Sequence, residues 1–316
     1  MLNFKDSYSL SNITTLQIGG PAKKFVTVKT EKDLIEAIEY AVSQKIPYLI
    51  IGAGSNLLVS DEGVNSLVIK NEISGISTWE EPKPISQVSV KSGTKLQDLV
   101  DYAIIHNLAG LQKLTKIPGT VGGAVYGNAG AYGQTISDHL ISVTVLNPHS
   151  LTTEQFSNKD CNFGYRNSIF KKNKYIILEA KFQLEKGDLE KMQMEEKEIT
   201  WKRFVKYPPG IKCPGSFFKN IIAETLPKEI LDKIPPEKIV YGKLTAGALL
   251  EEVGAKGQSV DGIKIADYHA NLFINSGTGT AKAFYNLAKA YTQKVKEKFG
   301  ITLEPEVQLI NLPPLR

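Results

Sequence analysis

Cysteine is nearly absent: Cys161 and Cys213 are the only two in 316 residues, and they stand far apart without metal-ligand spacing. That composition speaks against a disulfide framework and offers no zinc or other metal site, and it suits a reducing, cytoplasmic setting. Long apolar runs are missing too. No window approaches the ~18 consecutive apolar residues of a membrane span, and the N-terminal stretch has no charged head followed by an apolar run, so neither export nor membrane association is expected. Charge of one sign is scarce, because 38 basic and 33 acidic residues leave a formal net charge of only +5, spread along the chain. This is too mild for a nucleic-acid footprint, although it suits small anionic ligands such as phosphates. What remains is an ordinary globular composition, 42% hydrophobic and 22% charged, in a chain long enough to form at least two domains.

Along the chain, apolar β-type runs alternate with helical patterns, which reads as α+β or α/β. A strand at 24–28 leads into a helix opened by Thr30 with Asp33 three residues on, with Leu34, Ile35, Ile38, Ala41 and Val42 as its inward stripe. Further strands are expected at 47–51, 57–59, 67–69, 88–90, 140–146 and 175–184. Thr94 with Gln97 suggests a second capped helix, its inner face formed by Leu96, Leu99, Val100, Ala103 and Ile104. A charged helical pattern over 186–206 runs into Pro208-Pro209-Gly210, a breaker cluster that marks an inter-domain connection. Beyond it, helices are expected at 245–253 and 281–299, closed by Gly254 and Gly300, with strands at 272–274 and 307–310. There is no internal repeat or low-complexity tract.

Five segments could carry chemistry. Gly52-Ala53-Gly54-Ser55-Asn56 follows a buried strand and is open to two readings, an anion-binding nest of amides or a plain tight turn. It is not the dinucleotide fingerprint, since Leu57-Leu58-Val59 resumes a strand instead of opening a helix. The run from Pro118 to Gly133 packs six glycines among apolar residues and almost no charge. A linker would be polar and serine-rich, so this composition favours a backbone cradle around a flat ligand, with Val121, Val125 and Tyr132 among the glycines. Tyr165 and Arg166 stand together after Gly164. The guanidinium fork matches a carboxylate but equally suits a surface ion pair. Ser216, after Gly215, has no nucleophile elbow and no triad partner nearby, which leaves a proton donor to a carbanion or a simple turn residue. Glu304-Pro305-Glu306 is either a polarising carboxylate at a strand edge or a solvated acidic turn. His269 and Asn271 are candidates for polar ligand contacts or for structural hydrogen bonding.

In this order and spacing the segments GAGSNLLV (52–59), IPGTVGGAVYGNAGAYG (117–133), FGYRNSIF (163–170), GSFFKN (215–220) and LEPEV (303–307) closely resemble the UDP-N-acetylenolpyruvoylglucosamine reductase family over about residues 10–312. AGALLEEVGAKG (246–257) and HANLFIN (269–275) extend the match. The resemblance implies an α+β protein. Residues 1–190 would form a two-lobed FAD-binding domain of the PCMH type, similar to that of the vanillyl-alcohol-oxidase group. Residues 205–316 would form a smaller α+β substrate-binding domain whose last strand returns towards the active site.

It further implies non-covalent FAD held by Gly52, Ala53, Gly54, Ser55, Asn56, Leu57, Pro118, Gly119, Thr120, Gly122, Gly123, Asn128, Ala129, Gly130 and Ala131. NADPH would be the reductant and the enolpyruvyl ether of a UDP-sugar the substrate, in peptidoglycan precursor synthesis. By motif matching, Ser216 donates the proton, Arg166 and Glu306 bind and polarise the substrate carboxyl region, and Tyr165, Lys206, Asn220, His269 and Asn271 contact substrate or nicotinamide cofactor. No insertion between Leu184 and Ser216 supplies the tyrosine loop of one subclass, so the chain resembles the subclass without it, and no tyrosine is assigned to the uracil. A monomer or weak dimer is expected. The alternatives are a flavin oxidase or dehydrogenase acting on another small alcohol or acid, and a nucleotide-sugar sensor that has lost turnover.

Overall fold

A computed structural model describes residues 2–80, 85–232 and 234–315, and they fall into two compact units. The first comprises Met1–Tyr8, Lys23–Ala53 and Asn65–Pro209, and the second Ser9–Ala22, Gly54–Val64 and Gly210–Arg316. The chain passes from the first to the second at Pro209, inside the breaker cluster, but the units also interleave earlier, unlike a linear division near 205. The physical reason is a shared core. Leu16, Ile18 and Leu58 are buried with Phe217, Phe273 and Phe284, and the Leu57–Val59 strand pairs in parallel with Gln308–Ile310.

The first unit has two larger sheets and one short hairpin. In one, strands follow the order Lys5–Ser9, Pro21–Val28, Val64–Asn71 and Tyr48–Ile51, with Tyr48 to Ile51 running parallel to Leu67 to Lys70. The Glu31–Ser43 helix opens with the full capping box of Thr30 and Asp33, and Leu34, Ala37, Ile38 and Ala41 form its buried face. Val42, placed on that stripe by the sequence reading, is 64% exposed. A residue one step beyond Ala41 turns a further 100° round the helix, and Ala37 takes the inner place instead.

The other sheet is antiparallel, ordered Thr153–Ser157, Leu140–Leu146, Ile176–Lys186, Ile85–Lys91 and Ile76–Glu80, with Leu108–Ala109 also paired to Ile176–Lys186. Against it the Leu96–Ile105 helix buries all five expected residues. Its start departs from the sequence reading. Thr94 Oγ1 is occupied by the Gly75 main chain, accepting from its N–H at 3.0 Å, while Gln97 Oε1 accepts from the Lys116 N–H at 2.6 Å. Lys95 therefore stands at the cap position without a side-chain cap.

The second unit is built around four phenylalanines. Phe217 meets Phe218, Phe273 and Phe284 at ring-centroid distances of 4.7, 5.5 and 5.0 Å. The Ala281–Phe299 helix lays Ala283, Phe284, Leu287, Ala288, Tyr291 and Val295 on this core and ends at Gly300 with φ +71°, as its spacing requires. Its start is doubly capped: Thr280 Oγ1 accepts from the Ala283 N–H, and Asp61 accepts from the Ala281 and Lys282 N–H groups at 2.8 and 2.9 Å. A carboxylate there also meets the positive end of the helix dipole. Asp61→Ala is therefore expected to destabilise the protein by about 1–2 kcal/mol, measured by urea unfolding, with Asp61→Asn losing less. Among the described residues no helix is long and apolar enough to cross a membrane.

Candidate active site

The glycine-rich segment is not a continuous loop. Val121–Gly127 is a helix capped by Thr120, whose Oγ1 accepts from the Gly123 N–H at 3.2 Å. Two more amides at its start are taken by the chain itself, Val121 by the Thr94 carbonyl and Gly122 by Ser92. Val121 and Val125, four residues apart, point into the core and are 0% exposed, so they pack inward and do not line a ligand. The helix ends at Asn128 in the left-handed region, φ +44°. A hairpin then pairs Gly130–Ala131 with Gln134–Thr135 around Tyr132 and Gly133, both at positive φ, the tight two-residue turn for which such angles are needed.

Two of these glycines answer to the protein's own packing. A Cβ on Gly122 would lie 2.7 Å from Ser92 Cβ, and one on Gly130 2.4 Å from the Gln134 carbonyl. At the earlier segment, Gly52 would place a Cβ 2.5 Å from Thr120 Oγ1, and Gly54, at φ +64°, one 2.1 Å from the Ile13 carbonyl. Gly123 and Gly127 differ. Four residues apart on one helix face, they leave room for a Cβ, Gly127 with nothing within 4 Å and Gly123 with only Thr120 Oγ1 at 3.5 Å. Next to that bare face, Asn128 Oδ1 is buried without a hydrogen-bond partner. A side-chain-free helix face beside an unpaired acceptor suits a flat ligand with polar N–H groups at its edge.

The FGYRNS segment docks onto the same stretch. Gly164 and Asn167 exchange both main-chain hydrogen bonds, at 3.0 and 3.1 Å, leaving Tyr165 and Arg166 at the tip of a two-residue turn with Arg166 at φ +52°. Its guanidinium donates to the carbonyls of Gly130 at 2.7 Å and Asn128 at 3.4 Å, and its carbon lies 5.3 Å from the Tyr165 ring centre. Three contacts fasten the turn: Asn128 Nδ2 to the Gly164 carbonyl, Ser168 Oγ to the Tyr126 carbonyl, and Lys171 Nζ to the Arg166 carbonyl, at 3.0, 2.7 and 2.8 Å. Ser168 and Lys171 carried no assignment in the sequence reading. Their only signal was a place beside Arg166.

In the second unit, Ser216 lies on a short extended segment flanked on both sides. Ser216 bridges Leu272 and Phe218 bridges Pro305, while the Glu306 N–H donates to the Phe217 carbonyl at 2.7 Å. Ser216 and Glu306 thus sit on adjacent main-chain segments. Asn56 extends the frame, donating through Nδ2 to the Glu306 carbonyl at 3.2 Å and accepting from the Gln308 N–H at 2.9 Å. Asn271 is placed differently from a ligand contact. It is 2% exposed, and its amide is spent on Phe218, accepting from the N–H and donating to the carbonyl, each at 2.8 Å. Asn271 therefore positions the Ser216 segment. Asn220 Oδ1 accepts from the Ala246 N–H at 3.1 Å, at the start of the Ala246–Glu252 helix. His269 Nδ1 accepts from the Asn271 N–H at 3.3 Å.

Lys206 ends the Leu189–Lys206 helix of the first unit, its Nζ 5.2 Å from the Tyr207 ring centre. Neither cysteine is a candidate nucleophile by its setting. Both are buried, and burial pushes the Cys161 thiol up to about 12, leaving almost no thiolate at neutral pH.

Comparison with known proteins divides the chain into two consecutive segments. Residues 22–153 match a family described as FAD binding domain, and residues 208–310 match one described as UDP-N-acetylenolpyruvoylglucosamine reductase, C-terminal domain. A UDP-N-acetylenolpyruvoylglucosamine reductase of Solibacter usitatus is 39% identical over 305 residues, covering 96% of either chain. One from Bacillus cereus, carrying that name with the number 2, is 34% identical over 311 residues, covering 97% of this chain and 92% of the relative. The crystal structure of the reductase (MurB) from Thermus caldophilus superposes with a TM-score of 0.75 at 30% identity, covering 98% of this chain and 100% of that one. With relatives matched over nearly their whole length, the chain belongs to the UDP-N-acetylenolpyruvoylglucosamine reductase (MurB) family.

Proposed function

We propose that this chain reduces the enolpyruvyl ether of UDP-N-acetylglucosamine enolpyruvate to UDP-N-acetylmuramate, with FAD as cofactor and NADPH as reductant, as a cytoplasmic step of peptidoglycan precursor synthesis. The observation that carries the cofactor reading is the bare face at Gly123 and Gly127 beside the unpaired Asn128 Oδ1. Those residues would hold the cofactor, together with Gly52 to Leu57 and the 118–131 segment. When bound and reduced by NADPH, FAD would supply the hydride that adds to the terminal carbon of the enolpyruvyl group.

Addition there places negative charge on the neighbouring carbon and its carboxylate. Arg166, its guanidinium oriented by main-chain carbonyls, would bind that carboxylate and stabilise the charge, a contribution of about 3 kcal/mol for one well-placed donor. Ser216 would deliver its hydroxyl proton to the neighbouring carbon and regain one from solvent, which completes the addition across the double bond. Glu306, adjacent to Ser216 by main-chain pairing, would polarise the substrate carboxyl region. Tyr165, Lys206, Asn220 and His269 would contact the nucleotide-sugar or NADPH, and Asn271 would support Ser216 from behind.

The discriminating experiment is an anaerobic two-step assay on the FAD-loaded protein. NADPH is expected to bleach the flavin absorbance, and UDP-N-acetylglucosamine enolpyruvate to restore it. Bleaching followed by recovery with oxygen but not with that sugar would favour a flavin oxidase instead.

A further inference from the structure

We infer that Asn128 is a positioning residue for Arg166, fixing the pose of its guanidinium from both ends of the Tyr165–Arg166 turn. The inference rests on the substrate-binding role proposed for Arg166. Asn128 touches the turn twice. Its Nδ2 donates to the Gly164 carbonyl at the root of the turn, and its own carbonyl accepts from the guanidinium at the tip. The orientation of the amide is fixed by chemistry, because the Gly164 carbonyl can only accept and so must face the nitrogen. At 5% exposure the side chain is held in the interior.

The backbone of Asn128 matters as much as its amide. A right-handed residue here would continue the Val121–Gly127 helix and send its carbonyl along the helix axis. The left-handed φ of +44° ends the helix and turns the chain so that the carbonyls of Asn128 and Gly130 both reach Arg166. Among common residues asparagine tolerates this conformation and also brings a donor. Glycine keeps the conformation without the donor, and aspartate keeps the size while setting an acceptor against the Gly164 carbonyl.

Asn128→Gly is the direct test. In apo protein, hydrogen exchange of the paired Gly164 and Asn167 amides is expected to rise about tenfold. In the loaded enzyme, reoxidation by UDP-N-acetylglucosamine enolpyruvate should slow about tenfold, at least about fivefold more than reduction by NADPH slows. In an Arg166→Ala background the same change should slow reoxidation no more than it slows reduction by NADPH, because the positioned group is gone. Asn128→Asp carries the same expectations and replaces Asn128→Gly should that variant not fold. Unchanged exchange, or an equal slowing with and without Arg166, would overturn the inference. Wild-type enzyme that fails to reoxidise with the sugar would instead sink the functional reading.

Discussion

Replacing Ser216 with alanine is expected to slow reoxidation of the reduced flavin by the enolpyruvyl sugar by about 10² to 10⁴-fold, the range for loss of a placed general acid. Reduction by NADPH should stay within about twofold, since it needs no proton from this hydroxyl. The substitution removes one oxygen and leaves the main-chain frame intact. Ser216 is held through its bridge to Leu272, and the adjoining Phe217 carbonyl accepts from the Glu306 N–H, contacts that do not involve the side chain. Rapid mixing under anaerobic conditions separates the two half-reactions. Survival of both rates would remove Ser216 from the chemistry and leave it a turn residue.

Phe217→Ala is expected to destabilise the second unit by about 3–5 kcal/mol, the usual result of deleting a fully buried aromatic side chain. Phe217 is 0% exposed and packs edge-on against Phe218 and Phe284 as well as against Phe273, so neighbouring rings cannot close the gap without leaving their contacts. The loss should be local first. Amides of the Ile263–Ile265 and Phe273–Asn275 strands, which pair with one another, should exchange roughly two to three orders of magnitude faster. Those of the antiparallel sheet in the first unit should change little. Uniform protection in both units would mean that the phenylalanine cluster is not what holds the Ser216 segment.

The sequence made long periodic elements legible and short ones obscure. The Ala281–Phe299 helix was readable because its apolar positions recur every three to four residues and Gly300 closes it. The Thr153–Ser157 strand was not, because its pattern of exposed and half-exposed residues offers no apolar run. Asp261-Gly262 was a hairpin signal that went unread, and the structure gives both residues positive φ between the Ser259–Val260 and Ile263–Ile265 strands. The capping box at Thr30 was readable while the one imagined at Thr94 failed, because a tertiary neighbour, Gly75, claimed the hydroxyl.

At the site, the motifs marked the right neighbourhoods but not every role. Glycine enrichment at 118–133 suggested a cradle, yet Gly122 and Gly130 are demanded by internal packing, while Gly123 and Gly127 present a bare face. Asn271 was open to a ligand contact or to structural hydrogen bonding. Its amide pins Phe218, a contact across 53 residues of chain that no local pattern could reveal. Asp61 was passed over for the same reason, since the helix that it caps begins 220 residues later.

Everything proposed for the site stands on a bound flavin passing its electrons to the double bond of an enolpyruvyl ether on a UDP-sugar. An anaerobic titration of the NADPH-reduced, FAD-loaded protein with UDP-N-acetylglucosamine enolpyruvate tests it most directly. Full recovery of the flavin absorbance at one molar equivalent, with UDP-N-acetylglucosamine itself restoring none, is the predicted result. A flavin that stays bleached in excess enolpyruvyl sugar, or a protein that binds no FAD, would contradict it.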